Sequence, residues 1–144
     1  MTASASTVFC VALLLAALAA VQAQKCKPTA KDILGPYYQP GAPLRNNTVC
    51  PYSPAEDMLV LRGTVYSASD CTTPLPYTLL DVWQANPKGQ YSEGNSKGSD
   101  DFTCRSLLET DENGNFLIKT LMPGRYDDGG YRPAHIHFKI TLQF

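Results

Sequence analysis

The sequence has 144 residues, a formal net charge of −1 and 44% hydrophobic residues, which suits one folded domain and not two. Its lysines and arginines are scattered among acidic residues instead of forming a basic block, so the charge pattern favours neither nucleic acid nor an anionic membrane as partner. A small molecule or an extracellular partner fits better, and a monomer is the default expectation.

The N-terminus resembles a secretory signal peptide. No residue between Val8 and Val21 is charged, and this run is shorter than the roughly 20 apolar residues that a bilayer-spanning helix needs. Small residues at Val21 and Ala23 occupy the usual cleavage positions. We therefore predict a signal peptide over residues 1–23, secretion to the extracellular space and no membrane attachment after cleavage. An uncleaved anchor is the alternative, and the absence of a second long apolar stretch disfavours it.

Four cysteines remain after removal of the signal peptide, which takes Cys10 with it; they are Cys26, Cys50, Cys71 and Cys104. An even number of cysteines in an oxidising compartment indicates up to two disulfides. The sequence leaves all three pairings open. It also leaves open whether Asn46, in the sequon Asn46-Asn47-Thr48, carries a glycan.

The rest of the chain has the pattern of β-structure. A proline-rich segment, residues 24–57, predicts an extended N-terminal arm. Five short segments rich in branched and aromatic residues and bounded by turn formers then predict strands; they are residues 58–66, 77–85, 104–111, 115–122 and 135–142. We predict a mostly β chain, an antiparallel β-sandwich over residues 58–144, with no segment that indicates a helix.

A turn is predicted between the third and fourth strands. Asn113 and Gly114 both tolerate positive φ and form one of the strongest short hairpin signals. The sequence therefore predicts a β-hairpin at this point.

Both histidines of the chain lie in the last predicted strand, in the motif "RPAHIHF". Side chains two residues apart in a strand point to the same face, so His135 and His137 share a face, and their β-carbons lie roughly 6 to 7 Å apart. Ile136, Phe138 and Ile140 then face the sandwich core. Two imidazoles on one face permit metal chelation, although surface or core histidines give the same pattern.

Candidates for further metal ligands lie in the preceding loop, "PGRYDDGG", at Tyr126, Asp127 and Asp128. A carboxylate would favour zinc or ferrous iron, whereas a phenolate would favour ferric iron, a hard cation that prefers anionic oxygen. Spacing alone does not choose between these alternatives.

Five motifs in the same order resemble those of the intradiol ring-cleavage dioxygenases, and the resemblance is strongest to the short secreted single-domain members. They are "GPYY" at 35–38, "LRGTVY" at 61–66, "DVWQANPKGQYS" at 81–92, "TDENGNFLIKTLMPGRY" at 110–126 and "RPAHIHF" at 132–138. The resemblance implies a non-haem Fe(III) cofactor with four ligands, namely Tyr91, Tyr126, His135 and His137.

The resemblance also implies how the chain acts. The predicted reaction cleaves the ring of a catechol-type substrate between its two hydroxyl-bearing carbons with dioxygen, giving a cis,cis-muconate-type product without an organic cofactor. Tyr126 leaves the metal and accepts a substrate proton, and Arg132 stabilises the charge that moves onto the ring. Tyr37 and Tyr38 line the substrate pocket. Trp83 is interpreted as a core or pocket-wall residue.

The chain is shorter than the resemblance implies. Members of this family continue for several strands after the histidine pair, whereas this sequence stops at Phe144, so a C-terminally shortened sandwich is expected. The alternative function is a secreted, non-catalytic β-sandwich module with a vestigial metal site. Simultaneous presence of the four ligands and Arg132 favours the enzyme, since a binding module has no need for that combination.

Overall fold

The computed structural model describes residues 26–52, 57–92 and 101–142. The predicted signal peptide over residues 1–23 lies outside these ranges and stays a prediction. Within the three described ranges, no helix is long and apolar enough to cross a membrane.

The described residues contain seven strands and no helix. In chain order the strands are β1 (Met58–Thr64), β2 (Leu79–Gln84), β3 (Arg105–Glu109), β4 (Asn115–Leu121), β5 (Tyr126–Asp127), β6 (Tyr131–Arg132) and β7 (Ile136–Thr141). Each of the five predicted segments contains one strand that is shorter than the segment. The short strands β5 and β6 were not predicted.

The strands form antiparallel sheets, which confirms the predicted fold class. One sheet has the order β3-β2-β7, a second pairs β1 with β4, and a third pairs β5 with β6. The first two sheets enclose a core to which both contribute; its buried members are Val49, Val65, Leu80, Val82, Leu108 and Ile118. Each such side chain contributes about 1.5 to 3 kcal/mol through removal of its apolar surface from water.

The N-terminal arm is packed into this core. Leu44 and Thr48 form parallel bridges with Leu107 and Lys119, and Val49 is fully buried. The arm is therefore a structural part of the sandwich in addition to being extended, although the predicted division at residue 57 stays a prediction.

Two disulfides confirm the prediction from the cysteine count. Cys26 pairs with Cys71, and Cys50 pairs with Cys104. Both bonds attach the arm to the sandwich, because the first cysteine of each pair lies in the arm.

The predicted hairpin at Asn113 and Gly114 is wrong, although a tight turn is present. Gly114 has a φ of +73°, and its N–H donates to the carbonyl of Asp111 at 3.0 Å. However, β3 pairs with β2 and β4 pairs with β1, so the turn carries the chain from one sheet to the other. The Asp111 carboxylate accepts the N–H groups of Asn113 and Asn115 at 2.9 and 2.8 Å, and these bonds stabilise the turn although β3 and β4 do not pair with each other.

The predicted burial of the apolar face of β7 is only partly right. Ile136 packs against the core, but Phe138 is 40% exposed and Ile140 is 52% exposed. Among the described residues β2 is the only neighbour of β7, and the side chains beyond Ile136 are only partly covered: Phe138 contacts Phe116, with ring centroids 6.2 Å apart.

Candidate metal centre

Two glycine-containing turns bring Tyr91 and Tyr126 together. The N–H of Gly124 donates to the carbonyl of Asn86 at 2.9 Å, which joins the turn before Tyr126 to the turn before Tyr91. Gly89, with a φ of +79°, lies so close that a β-carbon there would overlap the carbonyl oxygen of Arg125. The tyrosine rings consequently meet edge to face, with centroids 5.4 Å apart and an interplanar angle of 89°.

The two histidines converge as the strand pattern predicts. His137 lies in β7, and His135 immediately precedes the first residue of that strand. The Nε2 atoms of the two histidines are 3.0 Å apart. The Nδ1 atom of His135 lies 2.7 Å from the carbonyl oxygen of Pro133. Because a carbonyl only accepts, Nδ1 carries the proton, and Nε2 of a neutral His135 presents a free lone pair.

The tyrosines extend this cluster. The hydroxyl of Tyr91 lies 3.4 Å from Nε2 of His135, and the rings of Tyr91 and Tyr126 are in edge-to-face contact. The four side chains that the sequence predicts as ligands are therefore brought together.

The donor spacing fits a metal ion. Two nitrogen ligands at about 2.1 Å from a metal and at right angles to each other lie about 3 Å apart, and the two Nε2 atoms have that separation. No group of three His, Cys, Asp or Glu side chains occurs in the part of the chain that the structure describes. The phenols of Tyr91 and Tyr126 are oxygen donors beside the histidine pair: the Tyr91 hydroxyl lies 3.4 Å from Nε2 of His135, and the Tyr126 ring centroid lies 5.8 Å from that of His135.

Burial shifts the pKa values of two of these groups, Tyr91 and His137. Burial raises the pKa of Tyr91, and the neighbouring Tyr126 raises it further, so without a cation this phenol keeps its proton. Burial lowers the pKa of His137, and the nearby His135 lowers it further, which favours the neutral imidazole that binds metals. His137 is therefore ready to bind a cation, whereas Tyr91 binds one as a phenolate only after losing its proton.

Aromatic rings stack on two of the predicted ligands. Trp83 is 2% exposed, lies opposite His137 in the sheet and stacks on its imidazole, with centroids 4.6 Å apart and planes within 1°. Tyr37, from the arm, stacks on Tyr91 at 4.5 Å and 6°. Trp83 also lines the cavity, as its interpretation as a core or pocket-wall residue predicts.

A cavity of about 780 Å³ opens beside the cluster, a size within the range of small-molecule sites. Its lining includes Tyr37, Trp83, Tyr126, Arg132, His135 and His137, together with arm residues 29–36. Arg132 is exposed and pairs in register with Tyr126. Tyr38 is not among the lining residues: it packs on Trp83, and its hydroxyl donates to Asp81 at 3.0 Å.

Sequence reasoning missed one residue that contacts this cluster. Arg105, in β3, is 2% exposed and lies 5.9 Å from the centre of the Tyr91 ring. The available signal was an arginine at the start of a predicted strand, "RSLLE", in place of an apolar residue.

An antiparallel β-sandwich that gathers two tyrosines and two histidines beside a cavity defines a protein with a candidate non-haem metal centre. A family model described as "Dioxygenase" matches residues 33–143. The chain belongs to the intradiol ring-cleavage dioxygenase family.

Named relatives agree with this assignment. A chlorocatechol 1,2-dioxygenase of Pseudomonas putida is 33% identical over 135 residues, which cover 83% of this chain and 51% of that protein. A catechol 1,2-dioxygenase of Acinetobacter baylyi is 32% identical over 136 residues, covering 78% of this chain and 42% of that protein. The chain thus spans about half the length of the curated relatives it matches.

Solved structures show the same fold. A 3-chlorocatechol 1,2-dioxygenase of Rhodococcus opacus superposes with a TM-score of 0.69 at 32% identity, over 88% of this chain and 56% of that one. The dioxygenase domain of a dioxygenase carbohydrate-binding fusion from a cellulolytic Streptomyces gives a TM-score of 0.65 at 32% identity, over 81% of this chain and 68% of that one.

Proposed function

We propose that this protein holds a non-haem ferric ion on Tyr91, Tyr126, His135 and His137, and that it cleaves catechol-type rings between the two hydroxyl-bearing carbons with dioxygen. The product is a cis,cis-muconate-type diacid. The observation that carries the proposal is the convergence of the imidazole Nε2 atoms, 3.0 Å apart, with the Tyr91 hydroxyl at 3.4 Å. Relatives named for catechol and chlorocatechol 1,2-dioxygenation support the substrate class.

The donor set favours ferric iron over softer or divalent ions. Two phenols supply anionic oxygens once their protons leave, and hard oxygen donors suit a highly charged ion. A ferric ion held by these four residues would lower the pKa of the phenols and would supply the electron withdrawal that makes a catechol ring susceptible to dioxygen.

The two tyrosines have different tasks in this proposal. Tyr126 lines the cavity, whereas Tyr91 lies behind the Tyr37 ring and is held by stacking. A substrate hydroxyl therefore reaches Tyr126 first, and the Tyr126 oxygen accepts its proton. Tyr91 stays in place and keeps its hydrogen-bonding distance to His135.

Arg132 acts on the substrate instead of on the metal. Arg132 is one of the residues that line the cavity, and its backbone pairs with that of Tyr126 in the β5-β6 sheet. A fixed positive charge at this wall stabilises negative charge that moves onto the ring, an effect that grows where water is excluded. Residues 29–36 of the arm line the same cavity.

A metal titration tests the proposal. Purified protein titrated with ferric iron is expected to turn red, because tyrosinate-to-iron charge transfer absorbs visible light. Added catechol is expected to change this band and to cause oxygen uptake. A colourless ferric-treated protein, or one that retains zinc in preference, contradicts the proposal.

Substitutions separate the metal ligands from the substrate group. Tyr91→Phe and His137→Ala are each expected to reduce ferric affinity by about tenfold or more, whereas Arg132→Ala keeps the red band and loses oxygen uptake. Tyr131→Phe is the matched control, since Tyr131 is 65% exposed and lies next to Arg132. Loss of iron in Arg132→Ala would show that its assigned role is wrong.

We also infer that the protein is secreted. The support is the predicted signal peptide over residues 1–23 together with two disulfides, which persist in oxidising compartments. Expression in a secreting host is expected to release a protein whose N-terminus is Gln24. Retention of residues 1–23 in the released protein contradicts this inference.

A further inference from the structure

We propose that Arg105 is a positioning residue that holds the Tyr91 ligand and the Tyr37 ring against each other. This inference rests on the proposed function for its consequence on iron, while its structural part can be tested without iron. Arg105 is carried by the strand next to β2 and belongs to neither the predicted ligands nor the substrate wall.

The Arg105 guanidinium is buried, and its N–H groups donate both to Ser92, which follows Tyr91, and to Tyr37. Nε donates to the Ser92 hydroxyl at 2.9 Å, and an Nη2 hydrogen donates to the Ser92 carbonyl at 2.6 Å. Nη1 donates to the carbonyl of Tyr37. Ser92 directly follows Tyr91, so one side chain fixes the backbone of both stacked tyrosines.

The hydrogen bonds of Arg105 to Ser92 and Tyr37, here called the Arg105 bridge, are costly to break because the charge of Arg105 is buried. A guanidinium 2% exposed to water loses most of its hydration, and every donor without an acceptor costs free energy. Burial lowers the pKa of Arg105, whereas Tyr91 and Asp81 favour its charged form. The three hydrogen bonds to carbonyl and hydroxyl oxygens therefore compensate a charge that stays in place beside the Tyr91 ring.

The same residue is connected to the histidine side of the site. Arg105 lies opposite Trp83 in the β2-β3 ladder, and Trp83 lies opposite His137 in the β2-β7 ladder. Cys104, which precedes Arg105, is bonded to Cys50 of the arm. Arg105 thus has a fixed backbone from which its side chain reaches the tyrosines.

Arginine is required by this geometry because its planar fork donates in several fixed directions. A lysine at this position keeps the charge but offers one nitrogen, which cannot span Ser92 and Tyr37 together. The inference therefore predicts that charge alone does not restore the function of Arg105.

Hydrogen exchange of the iron-free protein tests the bridge. In Arg105→Met and Arg105→Lys, the amides of Tyr37, Tyr38, Tyr91 and Ser92 are expected to exchange about tenfold faster than in the wild type, relative to the amides of the β1-β4 sheet. A purely structural role would accelerate the reference sheet equally. Arg62→Met is the matched control, because Arg62 is exposed on β1.

Ferric titration tests the consequence. Both Arg105 variants are expected to bind ferric iron about tenfold more weakly than the wild type and to shift the tyrosinate band. Ser92→Ala removes only the hydroxyl that accepts from Nε, so it is expected to show a smaller effect in the same direction. Should Arg105→Met fail to fold, Arg105→Lys and Ser92→Ala carry both measurements.

The outcomes distinguish the two proposals. A wild type without a ferric band overturns the proposed function, and the exchange data alone then decide the bridge. If the amides of Tyr37 and Tyr91 exchange at the wild-type rate in both Arg105→Lys and Ser92→Ala, the positioning role of Arg105 is overturned. A ferric band with unchanged affinity in all variants overturns the role of Arg105 in metal binding while the proposed function stands.

Discussion

Tyr37 lies face to face with Tyr91 and edge to face with Tyr126, at centroid distances of 4.5 and 5.6 Å. One aromatic ring of the N-terminal arm thus touches both tyrosines that the sequence predicts as metal ligands. The arm is therefore part of the candidate metal centre as well as of the core.

Removal of this ring is expected to weaken the metal site. Tyr37→Ala loses the stack on Tyr91, and a pair of this kind contributes about 1 kcal/mol, or about fivefold in ferric affinity. Tyr37→Phe keeps the ring and is expected to bind iron like the wild type. A ferric titration followed in the visible range measures both, and equal weakening in the two variants would show that the hydroxyl, and not the stack, matters.

Local patterns explain what the sequence predicted correctly. Alternation along the last strand placed His135 and His137 on one face, because that rule depends only on neighbouring residues. The same kind of signal located the five strands and the turn at Gly114. Family motifs then supplied Tyr91 and Tyr126, which spacing alone did not select.

Pairing between distant strands explains what the sequence did not predict. The turn at Gly114 was interpreted as a hairpin, but whether β3 and β4 pair depends on β2 and β1, which are distant in the chain. The exposure of Phe138 likewise depends on which strands flank β7. Arg105 was missed because its role depends on Ser92 and Tyr37, which no local pattern links to it.

Close backbone contact between two turns predicts a strong effect of Gly124→Ala. A β-carbon on Gly124 would overlap the carbonyl oxygen of Pro87 and the amide nitrogen of Gly89. The backbone must move apart, which is expected to cost about 1 to 3 kcal/mol of unfolding free energy and to separate Tyr91 from Tyr126. Urea unfolding and ferric titration measure the two effects.

Gly129→Ala is the control for this substitution. A β-carbon on Gly129 meets nothing within 4 Å. Only the φ of +65° at Gly129 disfavours alanine, which costs about 1 to 2 kcal/mol of unfolding free energy. Ferric affinity is expected to fall in Gly124→Ala and to stay at the wild-type value in Gly129→Ala. Equal ferric affinity in the two variants would contradict the contact between the turns as the cause.

The two disulfides are expected to differ in their resistance to reduction. Cys71 is exposed, whereas Cys50 and Cys104 are 0% and 2% exposed. A mild thiol reductant therefore reaches the Cys26–Cys71 bond first, and mass spectrometry after alkylation is expected to find the label there. Label appearing first on Cys104 would contradict this order.

Loss of the buried disulfide is expected to be the more damaging of the two. The Cys50–Cys104 bond closes a loop of 54 residues, and removal of such a bond costs about 2 to 4 kcal/mol of unfolding free energy. The Cys50→Ala/Cys104→Ala variant also releases the backbone beside Arg105, so ferric affinity is expected to fall with stability. Cys26→Ala/Cys71→Ala is the matched control, and its ferric affinity is expected to remain closer to that of the wild type.

Acid sensitivity is expected from Asp70, in the turn that follows Ser67. Its carboxylate accepts hydrogen bonds from the N–H groups of Thr72 and Thr73 and from the Thr73 hydroxyl, and these bonds lower the pKa of Asp70 from 3.8 to about 2. Because the folded pKa lies below the unfolded one, the stabilisation is fully present above the unfolded value and is lost as the pH falls from 3.8 towards about 2.

Asp70→Asn isolates this contribution. The difference in unfolding free energy between wild type and Asp70→Asn is expected to be constant above the unfolded pKa and to shrink as the pH falls below it, since only the wild type loses a charged acceptor. Urea unfolding across this pH range measures the difference, and carboxyl NMR measures the pKa directly. A difference that grows as the pH falls would mean that the folded state raises the pKa of Asp70, which its three hydrogen bonds argue against.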